Sequence, residues 1–428
     1  MLNFDLVAIL LVVSAAFAFL NAKLLRLPTE IGVLIMGLAA SLLLIVLELV
    51  TTQTEFTREL MDAVRQIDFH ASLMNGMLAF MLFAGAMHVD WAKLKSRAAS
   101  VGLLATVSVI ISTAIVGLSF WLAAGWLGTP IPLVWALVFG ALISPTDPIA
   151  VLSTLRAVHV SEDLEVEMSG EALFNDGVGI VMFTILLAAA IGQEAGGFGF
   201  LQVAQLFFIE ALGGAAFGLI TGYVAYRAIR LIDDYRIVVL ISLAVVMGTY
   251  SLAGKIHLSG PIAVVCAGLL IGERGPTDAM SQTTQRYLFG FWSLIDAILN
   301  IVLFLLIGLE VLVLRPGRDL TMLGLLVIPM VLAARLISVA LPVAALSIRV
   351  RFVKGTIPIL TWGAVRGGIS IALVLAMPEF PQKPMVLAAT YAIVIFSIVV
   401  QALTLGPLRR LVPAKRNDTR RPHTTHIS

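Results

Sequence analysis

Long apolar runs separated by short polar stretches make up most of the chain, and this pattern restricts it to a membrane fold. A helix needs about 20 apolar residues to cross a bilayer. About thirteen runs meet this length, at roughly 4–22, 30–50, 70–89, 98–125, 131–157, 169–192, 200–229, 236–254, 259–272, 288–314, 322–347, 355–377 and 385–407. Only 13% of residues are charged, against about a quarter in soluble domains. We therefore predict an all-α polytopic membrane protein with about 13 transmembrane helices, numbered here as spans one to thirteen.

The distribution of Lys and Arg predicts how these spans are oriented. If the N-terminus lies outside, two of the 28 Lys and Arg residues fall within spans, six on the outer side and the rest on the inner side. The outer six are Arg58, Arg65, Lys255, Arg315, Arg318 and Lys383. Cytoplasmic loops carry the excess of Lys and Arg. We expect a multi-pass protein of the cell (inner or plasma) membrane, with its N-terminus outside and residues 409–428 as a short basic cytoplasmic tail.

Several function classes are not supported by any motif in the chain. The single Cys266 excludes an intrachain disulfide and a cysteine metal cluster. Neither a P-loop nor a dinucleotide fingerprint occurs, which argues against a nucleotide-driven pump. We expect no cofactor, no enzymatic activity and no nucleic-acid partner. The basic tail is expected to contact anionic lipid.

Two carboxylates and an amide lie near the start of span six, within the stretch from Gly170 to Gly179. An ionisable group inside a bilayer is costly and is a functional-site hypothesis by default. On a helix, Glu171 and Asn175 share one face, and Asp176 points about 100° away from Asn175. The alternative is a loop whose acids only cap a helix N-terminus.

Spans five and twelve both contain an interruption that carries a charge. Span five contains Ser144-Pro145-Thr146-Asp147-Pro148, and prolines remove backbone donors and break helices. Span twelve contains three glycines and Arg366 between Trp362 and Gly368. Paired broken helices in corresponding positions indicate the central site of an inverted-repeat transporter. We predict two inverted six-helix repeats joined by span seven; two ordinary kinks are the alternative.

These motifs together resemble the NhaP/NHE branch of the monovalent cation:proton antiporters, over roughly residues 5–407. The resemblance implies a transmembrane antiporter domain at 1–408 that forms a homodimer and in which spans five and twelve cross as broken helices. Its dimerisation part would comprise about 1–90 and 200–315, and its mobile core about 98–192 and 322–408. The implied activity is exchange of Na⁺, or of Li⁺ or K⁺, for protons by alternating access.

The resemblance also implies a role for each candidate residue. Asp176 would alternately hold the proton or the metal cation, with Asp147 and Thr146 completing the ion site. Asn175 would also belong to the ion- and proton-binding residues. It occupies the place where electrogenic relatives have a second Asp, which implies electroneutral one-for-one exchange. The remaining charges would support the core: Glu171 paired with Arg335, and Arg366 in the broken span twelve.

Two departures from the family pattern leave the ion preference open. Ala172 and Ala84 stand where the family often has Ser and Glu, so two oxygen donors are absent.

Asp296 and Asn300 form a polar stripe in span ten, and the sequence favours inter-helix hydrogen bonding over ion contact for this pair. Three other functions remain as alternatives: a K⁺/H⁺ exchanger, a cation channel, and an intramembrane hydrolase using Asp147 and Asp176.

Overall fold

The computed structural model describes residues 4–50, 77–89, 95–147, 162–193, 200–310, 318–348, 352 and 355–404. Within these residues the chain forms fourteen α-helices. They are α1 (Phe4–Leu20), α2 (Thr29–Val50), α3 (Leu78–Met87), α4 (Ala98–Trp126), α5 (Leu133–Ile143), α6 (Glu162–Gln193), α7 (Phe200–Ile229), α8 (Tyr235–Lys255), α9 (Gly260–Arg274), α10 (Gln282–Glu310), α11 (Arg318–Leu346), α12 (Thr356–Trp362), α13 (Gly368–Ala376) and α14 (Lys383–Phe396). The basic tail predicted at 409–428 lies outside the described residues.

The all-helical membrane fold is confirmed. Eight of the described helices are long and apolar enough to cross a bilayer, and three shorter apolar helices accompany them. Most helix bounds follow the apolar runs closely. One difference is α6, which begins at Glu162 and not near 169. The polar first turns can remain helical because the buried carboxylate of Glu167 is paired with Arg97 of the neighbouring chain segment at 3.1 Å.

The helices pack in two groups. Helices α4, α5, α6 and α11 to α14 contact one another, and α1 to α3 pack with α7 to α10. The two groups meet where α6 lies against α7 and α9, and where α10 lies against α13. Buried aromatic pairs fill the first group, with the rings of Phe120 and Phe139 centred 4.2 Å apart.

Small residues allow close helix packing in the second group. A Cβ on Gly218 of α7 would lie 2.0 Å from the carbonyl oxygen of Ala263 in α9. Gly37 of α2 and Gly308 of α10 also approach each other closely, because a Cβ on Gly308 would lie 3.0 Å from the Gly37 Cα. Helices in lipid associate through van der Waals packing at such small residues. These contacts make the second group a tightly packed unit.

Both predicted interruptions are present. Helix α5 ends at Ile143, and the backbone from Thr146 to Asp147 is not helical. Span twelve is divided into α12 and α13, with the non-helical residues Ala364 to Gly367 between them. The continuation of span five after Asp147, residues 148–161, lies outside the described residues.

Candidate functional site

The two interrupted segments contact each other through their unwound backbone. The Asp147 N–H donates to the carbonyl of Val365 at 2.7 Å. Arg366 donates through Nε to the carbonyl of Ile143, at 3.2 Å, and Ser370 Oγ donates to the carbonyl of Leu142 at 2.8 Å. The last carbonyls of a helix have no partner within the helix, and lipid offers none. Side chains of the second broken segment therefore satisfy the end of the first.

Each charge where the two interrupted segments meet faces a helix end of opposite polarity. The buried Arg366 guanidinium lies at the C-terminal carbonyls of α5, where the helix dipole is negative. Asp147 lies against the N-terminus of α13, where the dipole is positive. A Cβ on Gly367 would be 2.0 Å from Asp147 Oδ2, so the carboxylate occupies the space of the missing side chain.

Asn175 joins α6 to the unwound part of span five. Its Nδ2 donates to Thr146 Oγ1 at 2.7 Å, and its Oδ1 accepts the Thr146 N–H at 3.4 Å. Both side chains are buried. The structure thus brings these two predicted residues together, and each satisfies the polar groups of the other.

Glu171 and Arg335 form a buried ion pair. Arg335 Nη2 lies 2.6 Å from Glu171 Oε1, and both side chains are 2% exposed. The guanidinium also donates to the carbonyl of Leu360, through Nε at 3.3 Å and Nη2 at 3.2 Å. This ion pair ties α6, α11 and α12 together, one turn of helix away from Asn175.

Asp176 lines a cavity between the two helix groups, together with Asp147. The cavity has a volume of about 270 Å³. Its opposite wall includes Ala84 of α3 and Asp296 and Asn300 of α10. Asp176 is 2% exposed, and its Oδ2 has no hydrogen-bond partner among the described residues. Thr146 and Asn175 are not among the residues that line this cavity.

The cavity extends to one end of the helix groups. Glu30, in the first turn of α2, and His88, directly after α3, also line it. His88 Nδ1 lies 2.7 Å from the carbonyl oxygen of Ala84. Glu30 and His88 both lie at the end of the helix groups that the positive-inside count predicts to be cytoplasmic.

Sequence reasoning missed a polar network in the last apolar run. The Arg366 N–H donates to Ser397 Oγ at 2.9 Å, and Ser397 Oγ donates to Gln401 Oε1 at 2.7 Å. Gln401 Nε2 in turn donates to the carbonyl of Trp362, the last residue of α12, at 3.0 Å. Ser and Gln four residues apart in an apolar helix were the available signal, because buried polar residues require partners.

The oxygen groups at this site suit a hard monovalent cation. Carboxylate, hydroxyl and carbonyl oxygens are the ligands that hard cations prefer. No group of three or more His, Cys, Asp or Glu side chains placed to hold a metal ion occurs within the described residues.

Comparison with known proteins identifies the family. The sequence profile of the family described as "Sodium/hydrogen exchanger, transmembrane" matches residues 9–411. The chain belongs to this exchanger family. It is 41% identical over 416 residues to the Na(+)/H(+) antiporter NhaP of Pseudomonas aeruginosa, covering 96% of this chain and 97% of that relative. It is 33% identical to the Na(+)/H(+) antiporter NhaH of Halobacillus aidingensis, covering 90% and 92% of the two chains.

A solved structure of an exchanger shows the same fold. The sodium proton antiporter MjNhaP1 of Methanocaldococcus jannaschii at pH 8 superimposes with a TM-score of 0.72, covering 94% of this chain and 96% of that one. The sequence identity is 20%, so this likeness concerns the fold. The NhaP-type resemblance inferred from the motifs is confirmed, and with it a multi-pass membrane antiporter.

Proposed function

We propose that the protein exchanges Na⁺ for protons, electroneutrally and one for one, by competition of the two ions for Asp176. One observation carries this proposal: Asp176 is buried at a cavity wall with a carboxylate oxygen that no described residue satisfies. Protonation removes the charge that attracts the cation, so the two ions exclude each other. Competition for one carboxylate is sufficient for exchange.

The neighbouring polar groups support a single exchanging acid. Glu171 is held by Arg335, and Asn175 is neutral and hydrogen-bonded to Thr146. Asp147, at the N-terminus of α13, would add an oxygen ligand and balance the helix dipole, and Thr146 would contribute through its backbone or hydroxyl oxygen. The site then carries the same charge with either ion bound. Equal charge in both loaded states makes exchange electroneutral.

The two helix groups suggest how alternating access operates. In this proposal α4 to α6 and α11 to α14, the core part, move relative to the other group, which forms the dimerisation part of a homodimer. The cavity between the groups would close on one side of the membrane and open on the other. Asp176 and Asp147 would travel with the core, and no cofactor would take part.

Reconstitution into proteoliposomes tests the proposal. An imposed pH gradient should be dissipated on adding Na⁺, and the rate should be the same when valinomycin and K⁺ clamp the membrane potential at different values. Asp176→Asn should abolish exchange, while Asp278→Asn, at an exposed position after α9, should leave it unchanged. Proton-coupled Na⁺ flux from Asp176→Asn would refute the mechanism.

The same assay separates the alternative functions. Faster exchange with K⁺ than with Na⁺ or Li⁺ would identify a K⁺/H⁺ exchanger. Cation flux that follows voltage without proton movement would identify a channel.

A further inference from the structure

The α10 wall of the cavity carries oxygen groups that the proposed exchange at Asp176 does not use. Asn300 is 1% exposed and lines the cavity, and its Oδ1 has no hydrogen-bond partner among the described residues. Its Nδ2 donates to the carbonyl of Asp296 in the same helix at 2.8 Å. The Asn300 side-chain N–H therefore bonds within α10, and the amide oxygen Oδ1 lies at the cavity wall.

Asp296 places a carboxylate on the same wall, four residues earlier and thus on the same face of α10. The adjacent α3 wall is apolar, with Leu78, Met81, Leu82 and Ala84. Among the described residues, the other carboxylates at the cavity are Asp147 and Asp176 on the opposite wall and Glu30 at the first turn of α2. Asp296 is therefore the carboxylate that the α10 wall presents to the cavity.

Helix α10 belongs to the group that does not contain Asp176. Its Gly308 packs directly on Gly37 of α2, and the Gly308 carbonyl accepts a hydrogen bond from Ser41 Oγ at 2.8 Å. These contacts fix α10 to α2 and leave α10 separate from α6. Groups on α10 and groups on α6 would consequently change their separation when the two helix groups move.

We propose that the Asp296 carboxylate and Asn300 Oδ1 form an additional cation site on α10, which binds the transported monovalent cation together with Asp176 while the cavity is open. This inference rests on the proposed exchange function. A small hard cation requires several oxygen ligands, and Ala84 and Ala172 contribute none. The α10 oxygens would supply ligands in the open state only, because they stay with the second helix group. They would thus set the apparent affinity for the cation on the side to which the cavity opens.

Transport kinetics of α10 variants test this site. Asp296→Asn in proteoliposomes should raise the KM for Na⁺ at constant pH by about tenfold, because it removes a full negative charge from the lining of the cavity, and Vmax should stay within about twofold. Asn300→Ala should raise KM less, by roughly threefold, since a neutral ligand is lost. Asp296→Glu, which keeps the charge, should stay close to wild type.

Ser293→Ala is the matched control, because Ser293 lines the same cavity from the same helix and is not assigned to the site. Its KM should not change. An unchanged KM in Asp296→Asn, or an equal rise in Asp296→Glu, would overturn the inference. If Asp296→Asn does not give a monodisperse protein, Asn300→Ala decides the question by the same criterion.

The wild-type protein separates this inference from the proposed function. If wild type shows no Na⁺/H⁺ exchange, the proposed function itself fails. If wild type exchanges Na⁺ and both α10 variants match its KM, only the α10 site is wrong.

A rescue variant adds a gain-of-function test. Ala84→Glu in the Asp296→Asn background should recover at least part of the lost affinity for Na⁺, since Ala84 lines the same cavity.

Discussion

Glu171 lies in the same helix as the proposed transport residue, but its ion pair with Arg335 of α11 should serve stability. Removing one partner of a buried pair leaves an uncompensated charge, which costs about 3–5 kcal/mol. We expect Glu171→Gln to reduce the yield of folded protein and to lower its melting temperature in detergent. Fluorescence-detected size-exclusion chromatography and thermal unfolding measure both effects.

An exposed ion pair provides the control for this prediction. Lys383 lies 2.8 Å from Glu379, whose side chain is 89% exposed, and exposed pairs contribute little to stability. Glu379→Gln should therefore leave the protein unaffected. A Glu171→Gln protein that is fully stable yet inactive would instead place Glu171 in the transport site.

At the level of single residues, charge and spacing predicted which side chains belong to the candidate site. The sequence could not predict which groups each of these side chains contacts. The position of Glu171 on α6 indicated a buried acid, and the structure shows that Arg335 also holds the Leu360 carbonyl. Asn175 was expected to contribute to the ion site. The structure shows it hydrogen-bonded to Thr146 outside the cavity lining. Which polar group faces a cavity depends on side-chain packing between distant helices, which local sequence does not encode.

At the level of elements, the start of α13 depends on a missing side chain. Gly367 has an ordinary φ of −114°, so alanine would introduce no backbone strain there. Its Cβ would nevertheless collide with Asp147 Oδ2 at 2.0 Å. We expect Gly367→Ala to displace the Asp147 carboxylate and to reduce the exchange rate by at least tenfold, as measured by dye dequenching in proteoliposomes.

Gly290→Ala in α10 is the control, since no atom lies within 4 Å of the added methyl group. This variant should transport normally, because alanine favours a helix over glycine. Normal exchange by Gly367→Ala would show that the position of Asp147 at the α13 terminus is not required.

The sequence predicted the elements well where proline, glycine and apolar length decide them. Both breaks, at Ser144 to Asp147 and at Ala364 to Gly367, follow from residues that cannot continue a helix. The early start of α6 could not be predicted in the same way, because its polar turns depend on the pairing of Glu167 with Arg97, 70 positions away in the chain.

For the whole molecule, cation binding should stabilise the fold. A ligand that binds only the native state at 100 times its Kd adds about 2.7 kcal/mol. We expect Na⁺ to raise the melting temperature of the purified protein at alkaline pH. The effect should diminish as pH falls, since protons displace the cation from Asp176.

Asp176→Asn should show no such Na⁺-dependent stabilisation, and choline chloride at equal ionic strength controls for salt effects. An equal shift with Na⁺ and choline, or an undiminished Na⁺ effect in Asp176→Asn, would contradict binding at Asp176.

The hydrogen bonds between the two broken segments have a further consequence for the rate of exchange. Asp147, Arg366 and Ser370 join α5 to α12 and α13 through buried contacts, and leaving such a group unsatisfied costs about 1–3 kcal/mol. The two broken segments should therefore shift as one rigid body, and the barrier should lie where that body slides against its neighbours and the surrounding lipid. Since hydrophobic mismatch costs energy as a bundle is displaced, the acyl-chain length of the host membrane should govern turnover and leave ion affinity unchanged.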